Sequence, residues 1–166
     1  MGIKWKTTVN KMPDMTKSIK TLDGRKVEVG VIEGEHQWLA AIHEYGCNIT
    51  VTQKMRAYLH YHGLHLSPNT TTIKIPERSF LRTGHDKNID KVMKQADRAV
   101  EQVAGGYMTD QQLLDLVGQV LATNIKTYAR DLSNPPNHPY TVEQKGSSNP
   151  LVNTGGMIEG ITWRTK

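Results

Sequence analysis

The sequence contains a single cysteine and no long apolar run. Cys47 is the only cysteine among 166 residues, which excludes an internal disulfide and every zinc or redox motif that needs several cysteines. Apolar residues make up 37% of the chain, and no run approaches the length that spans a bilayer. The first residues also lack the apolar segment of a secretory signal. We therefore expect one polar domain, residues 1–166, with no membrane partner.

Motifs for catalysis or cofactor binding are missing as well. His43-Glu44 would need a second histidine at position 47 to form a zinc-protease helix, but Cys47 stands there. No Gly-x-Ser-x-Gly nucleophile elbow and no phosphate-binding glycine loop occurs. His60, His62 and His65 lie close enough in sequence to suggest a metal site, but no neighbouring Asp, Glu or Cys completes the ligand set. We expect no enzymatic activity, no cofactor, no bound metal and no small-molecule substrate.

The charge balance is basic, with 21 Lys and Arg against 16 Asp and Glu, a net charge of +5 and a pI near 9.3. This balance permits contact with nucleic acid or with an acidic protein surface and identifies neither. A basic nucleic-acid-binding module is therefore one alternative. Four basic residues follow helical spacing, but acidic residues interleave with them in sequence, which favours a solvated, salt-bridged face. The basic residues are Lys87, Lys91, Lys94 and Arg98.

Hydrophobic periodicity predicts a β-rich first half. Residues 26–31 alternate between polar and apolar, as a half-buried strand does. Trp38, Ile42 and Tyr45 then follow helical spacing, which predicts a short amphipathic helix with these three side chains as core anchors. Residues 1–23 should form an N-terminal arm or a short helix, and residues 47–74 a β-rich insertion.

The second half is predicted to be helical. An apolar stripe predicts a helix over residues 84–103, and Gly105-Gly106 ends it. Thr109 and Gln112 form a capping-box pattern at the start of a second helix. The two helices suit an antiparallel hairpin or one bent helix packed on a sheet. Residues 133–150, which hold four of the seven prolines, should be a flexible Pro/Gly/Ser connection, and residues 161–164 a last strand that pairs with the sheet.

Residues 75–82 join the two halves. Arg78 and Arg82 stand four apart with Phe80 and Leu81 between them. We expect Phe80 and Leu81 to be core anchors, while the two guanidinium groups face outward as planar hydrogen-bonding forks for a partner. The alternative is that both arginines are solvated surface residues.

These segments, in this order, resemble the tail-completion or neck proteins of tailed bacteriophages, also described as virion morphogenesis or minor tail proteins. The match covers the chain from about Val27 to its end. It rests on residues 29–31 (VGV), 41–46 (AIHEYG), 75–82 (IPERSFLR), 150–158 (PLVNTGGMI) and 161–164 (ITWR), with a long helix after the third segment.

The resemblance implies an α+β fold in which a small antiparallel sheet packs against a long helix or helical hairpin, with extended N- and C-terminal arms. It implies a structural virion protein that forms a ring, usually of six copies, at the head–tail junction and completes or joins the tail. A tail terminator that ends tail-tube polymerisation is the alternative. Expected partners are further copies of the chain, other neck, connector and tail-tube proteins, and genomic DNA in passing. The location would be the virion, after assembly in the bacterial host cytoplasm. Candidate interface residues are Arg78, Arg82, Asn153, Thr154 and Trp163.

Overall fold

The computed structural model describes residues 20–166, so nearly all of the predicted N-terminal arm, residues 1–23, lies outside the described residues. The fold is α+β, as predicted. In chain order the elements are β1 (Val27–Val31), α1 (His36–Tyr45), β2 (Cys47–Thr50), α2 (Gln53–Tyr61), β3 (Thr72–Ile75), α3 (Phe80–Ala104), α4 (Asp110–Asp131), α5 (Pro139–Lys145), α6 (Gly156–Glu159) and β4 (Ile161–Thr165). Within this part of the chain, no helix combines the length and apolar character needed to cross a membrane.

Helices α3 and α4 form an antiparallel hairpin. Gly84, near the start of α3, lies against Ile125 and Tyr128, near the end of α4. At the other end of the hairpin, Val103 packs in one apolar cluster with Leu113. The predicted capping box is present: the Thr109 side chain accepts from the Gln112 backbone N–H, and the Gln112 side chain accepts from the Thr109 backbone N–H. Of the two arrangements that the sequence allowed, the chain adopts the hairpin.

The last strand pairs with the first, as predicted. β4 is antiparallel to β1, with Val27 opposite Thr165 and Val31 opposite Ile161. This two-stranded sheet packs on α4, where Gly118 lies beneath Trp163. A Cβ atom at Gly118 would come within 2.3 Å of Trp163 Cδ1, so only glycine allows the strand to approach the helix this closely.

The main core lies between the helical hairpin, α1, α6 and the β1–β4 sheet. Its members come from segments far apart in sequence. The core therefore packs α1, α6 and β4 against the helical hairpin. The buried residues of this core are Ala40, Phe80, Val92, Leu121, Ala122, Ile125, Ala129, Leu151, Met157, Ile158 and Ile161.

The predicted β-rich insertion is a smaller unit of mixed structure. β2 pairs antiparallel with β3, and nine of the intervening residues form α2 instead of further strand. Thr52 begins this helix by accepting a 3.2 Å hydrogen bond from the Met55 backbone N–H. Among the described residues, β2, α2 and β3 make only marginal contacts with the body of the protein. We call residues 47–75 the β2–α2–β3 module.

Residues 133–150, predicted to be a flexible Pro/Gly/Ser connection, contain a short helix. The segment contains α5, which begins with Pro139 in its first turn and ends at Gly146, in the left-handed conformation. Asn149 holds the following turn: its amide nitrogen donates to Arg130 O at 2.6 Å, and its amide oxygen accepts from Leu151 N at 2.9 Å. Polar side chains thus supply the anchoring that the low apolar content of the segment could not.

The close contact at Gly118 gives a stability prediction. Gly118→Ala should lower the free energy of unfolding by about 1–2 kcal/mol, because overpacking against Trp163 outweighs the higher helix propensity of alanine. Urea denaturation measures this change. Gly30→Ala is the control, since a Cβ atom there meets nothing within 4 Å. Equal midpoints for Gly118→Ala and the wild type would contradict the packing argument.

Candidate functional site

The end of α1 and residues 75–82 form one connected site. Gly46 ends α1 with a φ of 72°, and a Cβ atom there would lie 2.9 Å from Glu77 N and 3.0 Å from Ile75 O. The backbone N–H of Arg78 donates to His43 O at 2.7 Å. Glycine is required at position 46 both for its positive φ and for this close approach of two backbone segments.

Glu44 is the centre of the site. Its side chain is buried, and its two carboxylate oxygens accept from the backbone N–H groups of Leu81 at 2.8 Å and Arg82 at 3.0 Å. These are unpaired donors in the first turn of α3, where a negative charge is also favoured by the helix dipole. Ser79, the residue at the N-cap, makes no side-chain cap. A carboxylate from another helix therefore caps α3, and the helix begins four residues earlier than predicted.

Arg82 joins Glu44 to the surface. Its Nε donates to Glu44 Oε1 at 2.9 Å, and its Nη2 donates to Glu77 Oε1 at 2.6 Å. The guanidinium also lies 4.8 Å from the ring centroid of Tyr45. The hydrogen bond that Arg82 donates to Glu44, followed by the one it donates to Glu77, raises the pKa of Arg82. The Arg82 side chain is nevertheless 51% exposed, so it reaches the surface.

Arg78 does not face outward, so this part of the prediction is wrong. The residue is 4% exposed, and its guanidinium donates to Pro135 O at 2.8 Å and to Pro136 O and Asn137 Oδ1 at 3.1 Å each. Prolines cannot donate hydrogen bonds, but their carbonyls still need donors when buried. The planar fork of Arg78 supplies them, and burial lowers the pKa of Arg78.

His43 lies beside this buried guanidinium. Its Nδ1 is 3.4 Å from Arg78 Nη1. Burial, the positive charge of Arg78 and that of Lys145 lower the pKa of His43 to about 4. The ammonium of Lys145 donates to Asn149 O at 3.0 Å, which places it at the same junction. His43 is therefore neutral at physiological pH.

The predicted core anchors divide into two groups. Phe80 is fully buried, as predicted, and Leu81 is half-buried against the main core. Trp38 is 71% exposed and Tyr45 67% exposed, so their prediction as core anchors is wrong, while Ile42 is only half-buried. The buried positions of α1 are Ala40 and Glu44. Because the helix buries a glutamate, its inner face is not the one that hydrophobicity indicates.

The remaining candidate interface residues lie apart from Arg82. Asn153 and Thr154 are exposed before α6, and Thr154 does not cap that helix, whose N-cap position is Gly155. Trp163 is half-buried on β4, and its indole N–H donates to Asp115 Oδ1 at 3.4 Å. Trp163 therefore packs within its own chain, whereas the side chains of Asn153 and Thr154 lie at the surface.

The histidines of the β2–α2–β3 module do not converge. The Nδ1 atoms of His60 and His65 lie 2.6 Å apart, while His62 Nδ1 is 2.9 Å from Tyr58 O. In residues 20–166 no group of three or more His, Cys, Asp or Glu side chains is placed to hold a metal ion.

Comparison of the chain with family models, with curated proteins and with solved structures finds no match. The sequence pattern and the geometry of the site therefore carry the functional argument. Glu44 is the member of this site that periodicity missed, and its presence in the AIHEYG segment of the resemblance was the only sequence signal for it. Gly46 could be expected from the sequence as the residue that ends the helix.

The capping role of Glu44 can be tested directly. Glu44→Gln should lower the free energy of unfolding by about 2–3 kcal/mol, because an amide offers one acceptor where the carboxylate meets three donor groups. Glu77→Gln is the matched control: Glu77 also bonds Arg82 but is 54% exposed, so it should cost less than about 1 kcal/mol. Urea denaturation of both variants measures the difference, and equal losses would show that Glu44 is not the cap.

The lowered pKa of His43 predicts a pH dependence of stability. Between pH 6.5 and 4 the unfolded chain binds a proton at this histidine that the folded chain does not. The neutral, buried His43 therefore contributes fully to the stability of the folded chain above pH 6.5. This contribution is lost as the pH falls from 6.5 to 4. His43→Gln should therefore unfold with a shallower loss of stability between pH 6.5 and 4 than the wild type. His62→Gln, at an exposed position, controls for the substitution itself, and an unchanged slope in His43→Gln would contradict the assignment.

Proposed function

We propose that this chain is a structural virion protein of a tailed bacteriophage, which forms a ring at the head–tail junction and completes or joins the tail. One observation carries the proposal. The AIHEYG and IPERSFLR segments of the resemblance, 29 residues apart in sequence, meet in a single hydrogen-bond network around Glu44. The segments thus have a shared structural role, which supports reading them as one signature.

The surface beside this network suits an assembly role. Trp38, Tyr45 and half of the Arg82 side chain are exposed on or next to α1. Tryptophan, tyrosine and arginine are the residues enriched at protein–protein interfaces. A rigid network beneath such a surface would present it in a fixed geometry, which closure of a ring of identical subunits requires.

A phage that carries a nonsense mutation in the gene for this chain tests the proposal. Electron microscopy of the lysate should show full heads beside separate tails, because the joining ring is missing. Overlong tails would instead assign the chain to tail termination. Intact infectious virions without the protein would reject a role at the junction.

A further inference from the structure

The β2–α2–β3 module has an unusual charge composition. Residues 47–75 contain no Asp or Glu, and Lys54, Arg56 and Lys74 are the only Lys or Arg among these 29 residues. The rest of the chain therefore holds all 16 acidic residues. Aromatic rings gather on the same unit: Tyr58 is 60% exposed and Tyr61 is 87% exposed. The ring of His62 lies between them, with centroids 4.1 Å from Tyr58 and 5.3 Å from Tyr61.

The module is internally ordered although it scarcely touches the body of the protein. Arg56, which is half-buried, donates from Nη1 to Ser67 O at 2.8 Å and from Nη2 to Thr70 O at 2.6 Å. These bonds fix the loop that leads into β3, and the pairing of β2 with β3 fixes the base. A preorganised projection loses little conformational entropy when it binds a partner.

The composition favours a protein partner over a nucleic acid. Interface cores are rich in tyrosine and poor in Lys, Asp and Glu, which matches this module. A phosphate-binding surface would need a denser set of Lys and Arg than three in 29 residues. The partner surface should be apolar and acidic, because the module offers rings and unpaired positive charge.

Helix α3 carries such a surface. Its exposed acids and its exposed apolar residues recur every three or four positions and so lie along one side of the helix. We call this surface the acidic stripe of α3; its members are the exposed Asp86, Asp90, Met93, Asp97, Val100 and Glu101 and the half-buried Ile89. Met93 is 51% exposed and Val100 37% exposed, and within the described residues Asp90, Asp97 and Glu101 form no ion pair.

The acidic stripe continues into an apolar groove of about 570 Å³. Asp86 and Ile89 belong to both, and the lining also includes the apolar Val27, Val29 and Leu81 and the basic Arg82 and His85. The basic residues of α3 are exposed on the adjoining side of the helix, and Lys94 stands one turn from both Asp90 and Asp97. Within residues 20–166 no ion pair joins these acids to these bases, so the face is solvated as predicted but not salt-bridged. The acidic stripe itself carries a net negative charge.

We propose that the β2–α2–β3 module of one copy docks on the acidic stripe and groove of a second copy of this chain. Within the described residues the module makes at most marginal contact with α3 of its own chain, so a second copy can offer the acidic stripe to it. The two surfaces are different, which makes the contact heterologous and able to propagate from copy to copy. The inference depends on the proposed function in one respect: it takes the docking partner to be a second copy of this chain.

A charge exchange tests the contact. Lys54→Glu with Lys74→Glu reverses the module, and Asp90→Lys with Asp97→Lys reverses the acidic stripe; all four side chains are exposed, and thermal melts check that each variant folds. At low ionic strength, either variant alone should weaken self-association at least about tenfold in sedimentation equilibrium. An equimolar mixture of the two variants should recover the wild-type assembly, since each reversed surface then meets its complement. Lys87→Glu with Lys91→Glu is the matched control and should associate like the wild type.

Three other outcomes overturn the inference, and a fourth separates it from the proposed function. A wild type that stays monomeric, or a mixture that fails to recover, would reject the contact. Loss of binding to a duplex oligonucleotide in the module variant, with self-association unchanged, would assign the module to nucleic acid. A two-copy exchange instead of a ring would support the contact and contradict the proposed function, so the two failures are distinguishable.

Discussion

The hydrogen bonds from the start of α3 to the Glu44 carboxylate are the interaction on which the site depends. A buried carboxylate is costly unless donors surround it, and here two backbone N–H groups and a guanidinium do so. The helix gains a cap that its own sequence does not provide. The same contact fixes the rotation of α1 about its own axis, so that Ala40 faces the core and Tyr45 faces the solvent. The exposed surface of α1 is thus a consequence of a polar contact in the interior.

The same principle explains how the proline-rich segment folds. Arg78, two residues before α3 begins, directs its donors to the carbonyls of Pro135 and Pro136, while its own backbone N–H is held by His43. One short stretch therefore anchors α1, α3 and the segment before α5. Phe80, between the two arginines, fills the core beneath them. Residues 75–82 thus join the two halves of the chain through the polar contacts of Arg78 and Arg82, which flank the buried ring of Phe80 in sequence.

The sequence predicted the elements whose stability comes from local pattern. The helical hairpin follows from an uninterrupted apolar stripe, the capping box at Thr109 and Gln112 from local hydrogen bonding, and β4 from simple alternation. Prediction from the sequence failed where a buried polar group pairs with a residue distant in sequence. Hydrophobicity counts Glu44 and Arg78 as surface residues, because nothing within a few positions shows that Leu81 or Pro135 will pair with them. Assigning Trp38 and Tyr45 to the core was the direct result.

The distribution of charge follows from the same limit. Along the sequence of α3, acids and bases alternate and suggest mutual pairing, but on the helix they occupy adjoining sides, and no ion pair joins them within residues 20–166. Meanwhile the β2–α2–β3 module lacks acidic residues altogether. A chain with a net charge of +5 thus carries an acidic stripe and a module without acidic residues, on units that make only marginal contact within the described residues. Two complementary surfaces that cannot meet within one copy can meet between two copies. The separate placement of the acidic stripe and the β2–α2–β3 module is therefore a better argument for self-association than the net charge of the chain.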